Sequence, residues 1–197
     1  VLVVGGNHGM GGAIRITAEA ALRTGAGLVS VITTSQNADT ILKIRPEIMA
    51  HSLKNDHKDL ADIIENVDVI AIGPGLGQDQ WAMDLYTAVL ESNKPLIVDA
   101  DALNILAKNP QQREDWVLTP HPGEAARLLA CSNFEIQSNR LKSLKNLYES
   151  FGGVILLKGQ NTLVGCKEKI PYMIAAGNPG MSTAGMGDLL TGIISGL

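Results

Sequence analysis

A chain of 197 residues can bury one sizeable core and is short for two, so one domain is expected. Hydrophobic residues make up 45% and charged residues 18%, which excludes a disordered chain; a net charge of -4 without any clustered Lys/Arg stripe excludes a nucleic-acid surface. No apolar run approaches bilayer length, and Cys131 and Cys166 stand far apart in no metal-binding or redox spacing, so the expectation is a reduced, cytoplasmic protein with a small-molecule partner and no membrane contact.

The run "VLVVGG" at residues 1–6 is continuously apolar and closed by glycines, which predicts a strand buried on both faces. Residues 13–24 place Ile14, Ala18, Ala21 and Leu22 at helical spacing and stop at Gly25, and "LVSVIT" at 28–33 is again strand-like. This β-α-β alternation recurs with "VDVIAIGPG" from Val67, "PLIVDAD" from Pro95, "DWVLTPHPGE" from Asp115 and "GVILLKG" from Gly153. Between the last two, Leu141, Leu144, Leu147, Tyr148 and Phe151 form one apolar stripe, and "NTLVG" and "KIPYMI" predict a small edge hairpin within 161–174. Trp81 and Trp116 are expected in the core. The predicted fold class is α/β: a mostly parallel sheet, helices on both faces, the hairpin at its edge, and ligands beyond the carboxyl ends of the strands. Val1 already lies in a strand-like run and Leu197 ends a helical pattern, so a piece of a longer chain is expected.

The strand exits carry the unusual residues. "GPGLG" at 73–77 suits a close ligand or merely a tight turn. "GGNHGMGG" loosely matches a dinucleotide fingerprint, but "LVSVITTSQ" ends without the acidic residue that holds a ribose, which disfavours an ordinary NAD oxidoreductase. In "STAGMGD", Gly185 and Gly187 flank Met186 before a helix expected to start near Asp188; the motif is either an Asp helix cap or a glycine cradle for an anion with a carboxylate placed to take a proton. "LTPHPGEA" sets His121 and Glu124 three apart, as loop residues or metal ligands, with no His/Cys cluster to complete a zinc site. Asp99 and Asp101 in "DADALN" suit helix capping or a magnesium or hydroxyl contact. Lys158 in "LLKGQNT" suits a phosphate contact or a plain strand-turn-strand.

Taken in order, "VLVVGG…GGAIR…AALRTGAGLV", "AIGPGLG", "PLIVDADALN", "LTPHPGEAARLL", "LLKGQNT" and "NPGMSTAGMGDLLTGIISG" resemble the bacterial ADP-dependent NAD(P)H-hydrate dehydratases over nearly the whole chain. The resemblance implies a ribokinase-like fold in a single catalytic domain at 1–197, with further C-terminal helices and an epimerase domain as the parts of the family lying outside it. It implies dehydration of the S form of hydrated NADH or NADPH, driven by ADP as co-substrate and yielding AMP and phosphate, with Mg2+ and a homo-oligomeric assembly. Asp188 would be the base on the substrate hydroxyl, with Gly185, Met186 and Gly187 as the anion hole. Ala13, Gly75 and His121 would line the hydrated dinucleotide, and Lys158, Gly159, Gln160, Asn161 and Thr162 would hold the nucleotide together with Gly187. Glu124 would contact magnesium indirectly. Kinases of this fold usually carry Asn where His121 stands, which weakens the alternative of a ribokinase-like kinase for a small hydroxylated metabolite; a third reading, from another class, is a non-catalytic nucleotide sensor, which would have no need for Asp188.

Overall fold

The computed structural model describes residues 1–53 and 57–197. Their contacts gather into two units, Val1–Ala102 with Ala184–Leu197, and Leu103–Thr183.

The first unit alternates as predicted: β1 (Leu2–Val4), α1 (Gly11–Thr24), β2 (Ser30–Ile32), α2 (Ser35–Ile44), β3 (Met49–His51), α3 (His57–Glu65), β4 (Ile70–Ile72), α4 (Gln80–Leu90), β5 (Leu96–Val98) and the start of α5 (Ala100–Lys108). Its strands pair in the order β3-β2-β1-β4-β5, all parallel, with Leu2 opposite both Ser30 and Ile70. β1, β2, β4 and β5 are buried at every residue, which is why they read as unbroken apolar runs. β3 gave no such signal: it is an edge strand with Met49 exposed and a histidine at its end. α1 ends where Gly25 adopts φ 128, a conformation open to glycine.

The second unit contains β6 (Trp116–Leu118), α6 (Pro122–Leu128), α7 (Asn133–Ser138), α8 (Arg140–Phe151), β7 (Val154–Leu157), β8 (Thr162–Gly165) and β9 (Tyr172–Ile174). β6 and β7 are parallel, and β8 and β9 form the expected hairpin, with β8 antiparallel to β7 and Thr162 opposite Ile174. Trp116 is core, its indole N-H donating to the Phe151 carbonyl at 3.1 Å, whereas Trp81 in the first unit is only half-buried. The apolar stripe of α8 is narrower than expected. Ser143, Leu144, Leu147 and Phe151 are buried, but Leu141 is 55% exposed and Tyr148 half-buried. At about 100° per residue, those two lie roughly 90–100° from the centre of the buried face.

α9 (Met186–Gly196) belongs to the first unit and lies flush on α1. A Cβ on Gly192 would fall 2.2 Å from the Thr17 carbonyl oxygen and one on Gly196 2.6 Å from that of Ala21, so these glycines permit a backbone-to-backbone approach. Among the described residues no helix is long and apolar enough to cross a membrane.

Candidate active site

In the first unit the loops leaving β1, β4 and β5 are stitched together. Gly6 N-H donates to the Pro74 carbonyl at 3.0 Å and Asn7 N-H to that of Gly75 at 2.6 Å. The Asn7 side chain, 8% exposed, donates to the Leu76 carbonyl at 3.1 Å and to Asp79 Oδ2 at 3.0 Å, while its own oxygen accepts His8 N-H at 2.7 Å. Asp79 also caps α4, accepting Ala82 N-H at 3.0 Å, and the Asn7 amide is the main reason its carboxyl lies below the usual range. Asp101, weighed from the sequence as a cap or metal contact, accepts Gly77 N-H at 2.8 Å and so holds the end of the glycine turn.

The glycines of that turn answer to packing. A Cβ on Gly73 would lie 1.8 Å from the Asp99 carbonyl oxygen; on Gly75, at φ +59, it would lie 2.7 Å from Met10 Cβ and 3.2 Å from Ala13 Cβ. Ala13 and Gly75, the two expected substrate-lining residues of this unit, are therefore neighbours.

α9 starts at Met186, two residues before the expected point. Its N-cap is Gly185 in the left-handed region (φ 86, ψ -11), and no side chain caps it. Asp188 is thus the third residue of the helix and not its cap, and the N-H groups of the first turn, Met186 and Gly187 among them, have no intrahelical acceptor. One turn on, Thr191 Oγ1 donates to Asp99 Oδ2 at 2.8 Å.

In the second unit His121 is the N-cap of α6. Its Nδ1 accepts Gly123 N-H at 3.0 Å and Glu124 N-H at 3.3 Å, while Glu124 Oε2 accepts His121 N-H at 2.7 Å. The other ring nitrogen, Nε2, lies 3.3 Å from Glu124 Oε1. Glu124 is 6% exposed and its Oε2 lies 3.9 Å from Lys158 Nζ. With both oxygens engaged, this carboxylate fits a cation held through water better than one bound directly. No group of three His, Cys, Asp or Glu among the described residues is arranged to ligate a metal.

After β7 the chain turns through Lys158, Gly159, Gln160, Asn161 and Thr162. Lys158 N-H donates to the Pro120 carbonyl at 2.9 Å, Thr162 Oγ1 to that of Gly159 at 2.8 Å, and both Gly159 (φ 131) and Asn161 (φ 54) have positive φ. Arg140 props this turn: one Nη donates to the carbonyls of Leu157 and Lys158 at 3.0 and 3.2 Å, the other to Gln137 Oε1 at 3.0 Å, and Nε is buried without a partner. Burial pushes the pKa of this guanidinium down. Sequence reasoning passed over Arg140, Asn7 and Thr191; the Ser132 and Asn139 caps preceding α7 and α8 are the local signals that could have framed Arg140. A separate cavity of about 480 Å³, lined by residues including Cys131, Glu135, Lys142 and Glu149, touches none of the expected site residues.

A family model described as NAD(P)H-hydrate dehydratase matches residues 1–197. A bifunctional NAD(P)H-hydrate repair enzyme of Coxiella burnetii is 50% identical over 197 residues, covering 100% of this chain and 40% of its own length. An ADP-dependent (S)-NAD(P)H-hydrate dehydratase of Neisseria meningitidis is 36% identical, covering 99% and 67%. Among solved structures, a ribokinase-like superfamily protein of Enterococcus faecalis superposes with a TM-score of 0.90 at 34% identity, covering 99% of this chain and 69% of that one. The ADP/ATP-dependent NAD(P)H-hydrate dehydratase of Bacillus subtilis, co-crystallized with ATP/Mg2+ and soaked with CoA, gives 0.84 at 30%, covering 99% and 72%. The chain spans about two fifths of the length of the bifunctional relatives it matches. Its α/β fold is therefore ribokinase-like, as expected.

Proposed function

The chain belongs to the NAD(P)H-hydrate dehydratase family, and we propose that it restores hydrated NADH or NADPH, in the S form, by ADP-dependent dehydration. The observation that carries this reading is the start of α9, where a left-handed glycine opens the helix and Asp188 stands third in it without being its cap.

The chemistry follows from those groups. Hydroxide leaves a ring badly and phosphate leaves it well, so the hydroxyl is first phosphorylated. Asp188 takes the proton of the substrate hydroxyl as its oxygen bonds to the β-phosphorus of ADP; the bond from that phosphorus to the bridging oxygen breaks and AMP departs. The Gly185 to Gly187 backbone, at the positive end of α9, faces the charge on the transferred group. The C-O bond then breaks, phosphate carries off its electrons, and loss of a ring proton completes the double bond.

Ala13 and Gly75 are assigned to the hydrated dinucleotide in the first unit, and His121 in the second. The turn from Lys158 to Thr162 is assigned to the nucleotide that becomes AMP, with Lys158 supplying positive charge. Magnesium, brought by the nucleotide phosphates, neutralises charge there, and Glu124 is the residue to hold it through water. We place the protein in the cytoplasm, as a homo-oligomer.

The test is to supply hydrated NADPH and ADP and follow the reduced-nicotinamide absorbance together with AMP. Recovery of absorbance with one AMP per turnover supports the reading, a stable phosphorylated product would assign a kinase instead, and neither product would sink both.

A further inference from the structure

We propose that Asp99 and Thr191 are a positioning pair that sets where Asp188 stands; the proposal rests on Asp188 being the base. Thr191 lies three residues after Asp188 on the same side of α9 and is 0% exposed, while Asp99, at the end of β5, is 1% exposed. Their 2.8 Å hydrogen bond joins residues 92 apart in sequence. Two polar side chains in a core are costly to desolvate, and Val would fill the volume of Thr191 without that cost. What valine lacks is direction.

The rest of α9 needs a directional restraint. Its contact with α1 runs over Gly192 and Gly196, which present backbone and no interlocking side chain to Thr17 and Ala21. Its N-terminus has no side-chain cap, and the chain enters it through a left-handed glycine after an exposed stretch. Neither feature fixes how far the helix rotates or slides, and either motion swings the Asp188 carboxylate. The Thr191 to Asp99 bond fixes both one turn in. Asp99 is also the residue whose carbonyl oxygen sits against Gly73, so one residue ties the glycine turn and the catalytic helix to the same strand end.

The experiment compares Thr191→Val, Thr191→Ser and Asp188→Asn for kcat, KM and thermal midpoint. A misplacement of about 1 Å can cost about 100-fold in rate, so Thr191→Val is expected to lower kcat by about 10- to 100-fold while the KM values for ADP and hydrated NADPH stay within about threefold. Thr191→Ser, which keeps the hydroxyl, is expected to recover most of kcat. Should Thr191→Val not yield folded enzyme, Thr191→Ala, smaller and free of clash, is read by the same criteria. Wild-type kcat with only a lower thermal midpoint would overturn the pair's positioning role, and so would a serine variant as slow as the valine one. Turnover surviving in Asp188→Asn is a different result: it removes the assigned base and leaves the pair nothing to position.

Discussion

His121 and Glu124 hold each other at the start of α6: the imidazole Nδ1 takes the Glu124 N-H at 3.3 Å, and the Glu124 carboxylate takes the His121 N-H at 2.7 Å. Asn is among the residues that make good N-caps, so the cap does not require a histidine. The His121 side chain is half exposed, with its Nε2 3.3 Å from Glu124 Oε1, so the ring is open to solvent and can serve a second task beside the cap. His121→Asn is therefore expected to keep the thermal midpoint while raising KM for the hydrated dinucleotide. His121→Ala should raise KM too and lose about 1 kcal/mol, a drop of about 2–4 °C in a melting experiment. Equal KM values in wild type and Asn variant would leave His121 a cap alone.

Asp79 predicts a response to acid. Its carboxyl is held below the usual range, first by the Asn7 amide and then by the Ala82 N-H. A depressed folded value means that the stabilisation is fully present above the unfolded value and is lost as pH falls through the folded one. The loss should therefore begin below about pH 4. Asp79 is exposed, so screening keeps the effect small. Melting midpoints of wild type and Asp79→Asn should differ at neutral pH and converge in acid; a constant gap would mean that the carboxylate charge is not involved.

The buried strands of the first unit were legible because burial on both faces forbids polar residues, and their glycine-rich exits because tight approach demands glycine. β3 was not: an edge strand of three residues is half exposed and carries no pattern. Asp188 could be singled out, yet its position in the helix could not, since whether Asp or the glycine before it is the cap depends on backbone angles. Thr191 was invisible in principle, because its partner Asp99 lies 92 residues away and a buried threonine in "LLTGII" reads as filler. Arg140 was hidden likewise: one arginine on a helix reads as solvated until β7 is seen to end against it.

Asp188→Asn keeps the shape of the side chain and removes its basicity. The expected loss is in kcat, by about 100- to 10,000-fold, with AMP or ADP still bound, because the missing interaction belongs to the transition state. Single-turnover kinetics beside nucleotide titration would separate the two. Loss of binding in step with rate would make Asp188 structural.

Arg140→Met tests the support beneath the Lys158 to Thr162 turn. It removes two charge-assisted bonds to the carbonyls of Leu157 and Lys158 and leaves the apolar stem's volume filled. The expected result is a loss of about 1–3 kcal/mol in stability and a KM for ADP raised several-fold, with kcat nearly unchanged. A fall in kcat at constant KM would argue that Arg140 bears on the chemistry and not on the nucleotide turn.

Gly192→Ala pits two effects of opposite sign. In a helix interior alanine is favoured over glycine by about 1 kcal/mol. Against that, the new Cβ would sit 2.2 Å from the Thr17 carbonyl oxygen and 2.6 Å from Ala20 Cβ, and neither a helix backbone nor a Cβ can swing aside as a flexible side chain can. Overpacking of this kind costs about 1–3 kcal/mol, so the clash outweighs the propensity and α9 has to lift from α1. A lower denaturation midpoint is expected, and with it a lower kcat, since the helix that lifts carries Asp188. A variant more stable than wild type would show that the added methyl group is accommodated against α1 at less cost than the helix propensity of alanine gains.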